Sequence, residues 1–159
     1  MIQDKLARAC KSLILREPFY GLFLIGLNKK IRKDVPTAGV SKQGIGIQLS
    51  INPDFFMALP EEQQIGLLKH ELLHVSFGHI MMRDSYSNFK LFNIAADLEI
   101  NQYINHSMLP EGGLTLDSFP ELKLPKRAGT KVYYDLLEKE CKDNPCPSLQ
   151  SILDQMDGD

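Results

Sequence analysis

The spacing of apolar residues changes character several times along the chain. In the first segment Leu6, Cys10, Leu13 and Ile14 recur at helical spacing until Pro18 interrupts them. Residues 2–33 therefore predict one or two helices. The second runs from 19 to 31 and ends in the basic group Lys29, Lys30, Arg32 and Lys33, which would complement the negative end of a helix dipole. Residues 34–43, "DVPTAGVSKQ", carry turn formers and predict a loop or a short strand. In "GIGIQLSI" the period drops to two. Ile45, Ile47, Leu49 and Ile51 alternate with Gly46, Gln48 and Ser50, predicting a strand with one buried face before "NPDF" turns the chain.

Residues 60–77 give the strongest helical signal. Pro60 suits the first helical position, and Glu61 and Glu62 suit the positive end of the dipole. Ile65, Leu68, Leu72 and Val75 make one apolar stripe. Further helices are predicted over 90–105 and 130–141, separated by a long loop with Pro120, Pro125, Gly112 and Gly113. The chain closes on "LQSILDQMDGD", which reads as an acidic tail with no closing element. The expectation is one α+β domain over 1–159, the N-terminal part of a longer protein.

Composition narrows the function. The 159 residues are 43% apolar and 24% charged, with a net charge of −2, as in ordinary soluble domains. No basic field exists to hold nucleic acid or an anionic membrane. The apolar run from Phe19 to Leu27 is too short to span a bilayer, and the N-terminus lacks the layout of a signal peptide. Three cysteines, Cys10, Cys141 and Cys146, form no disulfide framework, and the five-residue step between the last two is no zinc-knuckle spacing. A cytoplasmic location is expected.

The chemistry concentrates in "KHELLHVSFGH", residues 69–79. On a helix His70 and His74 lie roughly 40° apart, so their imidazoles can converge on one tetrahedral ion. Glu71 lies about 100° from His70, outside the ligand plane but able to face a metal-bound water as general base. Zn²⁺ lowers the pKa of such a water to about 7. Leu67, Leu73 and Phe77 flank the histidines where a surface helix would carry charges, so a recessed site is expected.

A catalytic zinc site takes a third protein ligand and keeps one open position. In "NIAADLEINQYI", Ala96, Ile100 and Ile104 form a stripe with Asp97 at its edge and Asn93 and Asn101 one turn to either side. A carboxylate beside a buried stripe needs a partner or a cation, so Asp97 is the first candidate. Glu99 points away with Gln102 and reads as solvated. His79 would point about 140° from His74 in an unbroken helix, unless Gly78 ends the helix and swings it back. The role favoured for His79 is an outer hydrogen bond or a helix-ending one.

"INPDFF", "HELLHVSFGH", "NIAADLEIN" and "LPEGG" occur in this order in the "putative metallopeptidase domain" often found ahead of von Willebrand factor A-like domains in bacterial and phage proteins. The chain resembles that family from about residue 5 to about residue 140. The resemblance implies zinc ligands at His70 and His74, the base at Glu71, and Asp97 where related zincins carry an acidic third ligand. It implies a zincin-like fold, with a small mixed sheet over the active-site helix and "GIGIQLSI" as the edge strand that pairs with an extended substrate. The implied partner is a protein or peptide substrate.

The rival reading is a catalytically silent module of the same scaffold that recruits a protein partner to a larger assembly. A third is a metal-free helical domain whose histidines only pack. Tyr133, Tyr134 and Arg83 are minor candidates for steadying an oxyanion, whereas Phe55, Phe56, Phe89 and Phe92 read as core.

Overall fold

The computed structural model describes residues 1–157, so the last two residues of the expected acidic tail lie outside the described residues. The fold is α+β, mostly helical with one small mixed sheet. Contacts divide the chain into two compact units. One comprises Met1–Met81 with Ile104–Glu111; the other comprises Met82–Tyr103 and the chain from Gly112 onward. Among the described residues no helix is long and apolar enough to cross a membrane.

The first unit opens with a helical pair, α1 (Ile2–Arg16) and α2 (Pro18–Gly26). Pro18 starts α2, because a residue without an N–H costs nothing at a helix N-terminus. Gly21 is required where the two helices meet: a Cβ there would stand 2.6 Å from Ile14 Cγ1. The predicted second helix stops short. Leu27 is extended, and Asn28–Ile31 form strand β1, so Lys29 and Lys30 sit in a strand rather than at a helix terminus.

Strand β2 (Ala38–Gln43) and strand β3 (Gly46–Ile51) form a hairpin. Its two-residue loop begins with Gly44 at φ +59°, the left-handed conformation that primed hairpin turns demand. Ile45 falls in this loop and is fully exposed, so the alternating set starts at Ile47 instead. The sheet order is β1-β3-β2, with β1 parallel and β2 antiparallel to β3. The expectation of an edge strand at "GIGIQLSI" is therefore corrected: β3 is central, because the basic segment beside it pairs as β1. Nor is only one face covered. Leu49 and Ile51 are buried in the core, and on the opposite face Gln48 and Ser50 are buried too, with Gln48 Nε2 donating to Ser50 Oγ at 3.0 Å.

After the sheet come α3 (Pro53–Ala58) and α4 (Glu61–Ser76). Asn52 caps α3 by accepting from Asp54 N and Phe55 N, and its Nδ2 donates to Val35 O at 2.7 Å. Pro60 stands just ahead of α4 as its cap residue rather than inside the first turn. The core of this unit joins Leu13, Leu24, Leu49, Ile51, Phe56, Ile65, Leu68 and Leu72, so the sheet and α1 pack on α4. Around the helix Leu67 and Leu73 are also buried, and α4 is a central helix, not a one-sided one. Gly66 lets the turn at 106–108 approach: a Cβ there would stand 1.9 Å from Met108 O.

The second unit is built on α6 (Phe89–Ile100), α7 (Thr130–Asp143) and α8 (Pro147–Asp157). Asn88 caps α6 through Lys90 N and Leu91 N. The helix tightens into a 3-10 turn at Asn101–Tyr103, so Ile104 does not continue the Ala96–Ile100 stripe as the sequence suggested. Leu91, Ile94, Leu98, Phe119, Tyr133, Leu137 and Leu149 form its core. Leu149 lies in what reads as an acidic tail. That segment is instead helix α8, whose Ile152, Leu153 and Met156 supply an apolar face, with Asp157 paired to Lys90.

Candidate metal centre

Helix α4 carries the site. Its last two turns hold His70, Glu71 and His74, with buried Leu72 and Leu73 interleaved. The i, i+4 spacing stacks the two imidazoles edge to face, with centroids 4.7 Å apart and planes at 83°. His70 Nε2 and His74 Nε2 approach to 3.1 Å. Two nitrogens on one tetrahedral Zn²⁺, each about 2.05 Å from the ion, would be about 3.3 Å apart. The observed separation fits that requirement with hardly any adjustment.

Glu71 is only 5% exposed. Among the described residues no hydrogen bond or ion pair engages its carboxylate. The preceding residue is settled differently. Lys69 is buried but donates to Glu17 Oε1 at 2.7 Å and lies 5.3 Å from the Tyr20 ring centroid. Its charge is thereby turned toward the α1–α2 junction.

His79 occupies a defined place. Gly78 adopts φ +72°, ending α4, and a short helix, α5 (His79–Met82), begins. This reversal brings His79 Nδ1 to 2.9 Å from His74 Nδ1. The His79 ring is 3% exposed and stacks on Phe77 at 6.0 Å and 27°. Three imidazoles thus follow one another: His70 faces His74 through Nε2, and His74 faces His79 through Nδ1.

Asp97 belongs to the second unit, half-buried on α6 between the core residues Ala96 and Leu98. Glu99 is not solvated, as the sequence had suggested. Its Oε2 accepts from Thr130 N at 3.0 Å and from Thr130 Oγ1, holding the first turn of α7, whose orphan N–H groups and positive dipole end favour a carboxylate. Its partner in the expected solvated face, Gln102, is occupied as well: Nε2 donates to Leu98 O and Tyr133 Oη, and Oε1 accepts from Arg127 N. Spacing along the chain carries no trace of these roles, since each depends on where α7 begins.

The minor candidates have structural work. Tyr133 is fully buried; its hydroxyl donates to Pro125 O at 2.6 Å and accepts from Ala128 N at 3.1 Å. Tyr134 Oη accepts from Asn88 N at 3.2 Å. Arg83 lies over the ring of Phe89, 5.0 Å from its centroid, and Phe89 is half exposed rather than core. Cys10, Cys141 and Cys146 are free thiols. Burial raises the Cys10 thiol above its ordinary pKa, as burial does for Cys141.

No curated protein and no solved structure matches the chain. A family comparison does match, over residues 2–147. That span takes in the sheet, the three imidazoles, Glu71 and Asp97. On that match the chain belongs to the family described as a "putative metallopeptidase domain".

Proposed function

We propose that the chain is a zinc-dependent endopeptidase of the His-Glu-x-x-His class with a zincin-like scaffold, and that His70, His74 and Asp97 hold the ion. Family membership supports a metal-dependent peptidase in general terms. The observation that carries the finer reading is the pair of Nε2 atoms 3.1 Å apart with Glu71 beside them on a buried helix. Two imidazoles and one carboxylate are a donor set that could hold a divalent ion, and they match the His₂-carboxylate sets of catalytic zinc sites. Zinc bound there supplies Lewis acidity toward a peptide carbonyl and acidifies water at its open position.

The chain's own residues do the rest. The i, i+4 spacing on α4 sets His70 Nε2 and His74 Nε2 3.1 Å apart, so two donor atoms already converge. Glu71 receives the proton of the attacking water and delivers it to the amine nitrogen as the C–N bond breaks. Asp97 adds one negative charge that offsets part of the ion's and leaves it electrophilic. A mixed peptide library serves as the substrate.

The test is Glu71→Gln in the full chain. The variant is expected to retain zinc at the wild-type stoichiometry and to lose library cleavage by a factor of 10² or more. Wild-type cleavage should vanish with a chelator and return with zinc. Glu71→Gln cleaving at the wild-type rate would remove the mechanism. A zinc-loaded wild-type chain with no chelator-sensitive cleavage would favour the recruiting module.

A further inference from the structure

We propose that His79 is a positioning residue: the outer acceptor that fixes the tautomer and ring orientation of His74, making α5 part of the metal centre without ligating the ion. The proposal deepens the metal reading above and rests on it.

An imidazole that offers Nε2 to a metal while remaining neutral must carry its proton on Nδ1. His74 Nε2 faces His70 Nε2, so Nε2 is the atom on the ligand side of the ring. His74 Nδ1 faces His79 Nδ1 at 2.9 Å, a hydrogen-bonding distance at which only one of the two nitrogens can carry the proton. The ligand role of His74 decides which: Nδ1–H of His74 donates, and Nδ1 of His79 accepts. His79 is then neutral with its proton on Nε2. Ligating imidazoles usually donate their second N–H to a carboxylate, a carbonyl or a water. Here the acceptor is another imidazole, brought in by the chain rather than by the helix.

The local structure is built for that purpose. In a continuous helix residue 79 would sit about 140° around the axis from residue 74. Gly78 at φ +72° breaks the helix after a single turn beyond His74 and redirects the chain. The ring that arrives is 3% exposed and braced by Phe77, so few rotamers remain open to it. His79 points its Nδ1 at the far side of His74, the side away from His70, which separates it from a direct ligand.

The experiment is a zinc titration of the full-length protein against a competing chromophoric chelator, with ¹H–¹⁵N spectra of imidazole-labelled, zinc-loaded samples. His79→Leu removes the acceptor. His79→Asn keeps one, because Oδ1 can stand where Nδ1 stood. Zinc affinity is expected to fall about 10–100-fold in His79→Leu and to recover largely in His79→Asn. In wild type the His74 Nδ1 proton should be visible and slow to exchange, and in His79→Leu that signal should move or broaden. Circular dichroism of both metal-free variants shows whether they fold. Wild-type protein that binds no zinc overturns the metal reading, and this one with it. Wild-type binding matched by His79→Leu, with an unmoved His74 signal, overturns this proposal alone. Equal losses in two folded variants would assign the effect to packing and overturn it, as would ¹⁵N shifts showing His79 itself bound to zinc.

Discussion

Lys69 Nζ lies 2.7 Å from Glu17 Oε1, with only 11% of the lysine side chain exposed. The contact fastens the middle of the site helix to the joint between α1 and α2, one residue before the first imidazole. Glu17 is about one-third exposed, so the pair is less isolated than a fully buried one. Glu17→Gln leaves the lysine charge sheltered without its counter-charge and is expected to cost about 1–3 kcal/mol. Replacing both, Glu17→Gln with Lys69→Met, should recover part of that loss. Urea denaturation midpoints check both variants, and zinc stoichiometry should stay unchanged.

Gly66 shows where helix propensity loses to packing. Alanine is the better helix former by about 1 kcal/mol. Its Cβ, however, would stand 1.9 Å from the Met108 carbonyl oxygen, a backbone atom that cannot rotate aside. Gly66→Ala is expected to destabilise by about 1–3 kcal/mol net. A denaturant midpoint above wild type would show that the turn at 106–108 yields freely.

Arg16 and Glu62 give a pH dependence with a definite sign. Arg16 Nη1 and Nη2 donate to both Glu62 oxygens at 2.9 and 2.8 Å, joining α1 to the first turn of α4. The hydrogen bonds from Arg16 hold the Glu62 carboxyl below its ordinary pKa. A carboxyl whose pKa is lower in the folded chain contributes stability above the ordinary glutamate value. That contribution fades as pH falls through the lowered folded value. Glu62→Gln should therefore lower the melting temperature slightly at pH 7, with the gap to wild type closing on acidification and shrinking in high salt. A gap that widens toward acid would contradict the assignment.

Much of this architecture is visible in the chain because α4 satisfies several signals together: acidic residues in its first turn, an apolar stripe, and a glycine where it ends. The His70–Glu71–His74 spacing is equally plain, since helical periodicity alone brings the two imidazoles together. Strand β1 was hidden for the opposite reason. Four residues carrying Lys29 and Lys30 show no alternation, and they form a strand only because β3 offers them a parallel partner. Ile45 misled because the hairpin loop took it, a choice made by the conformation of Gly44. Glu99 could not be read as an anchor before the start of α7 was known. His79 was legible only in part: Gly78 announces a break, but the direction of the chain after it depends on a backbone dihedral that spacing does not encode.

The central position of β3 has a further consequence for behaviour in concentrated solution. A three-stranded sheet with its middle strand flanked on both sides has two border strands, here β1 and β2, and a border strand that solvent reaches invites like chains to stack into fibres. Along β1 the exposed Lys30, with the half-buried Lys29 beside it, supplies repulsion against such stacking, whereas β2 carries Lys42 alone. Crowded preparations of this protein should thus nucleate their first misassembled contacts along Ala38–Gln43, and a second lysine there would lengthen their shelf life.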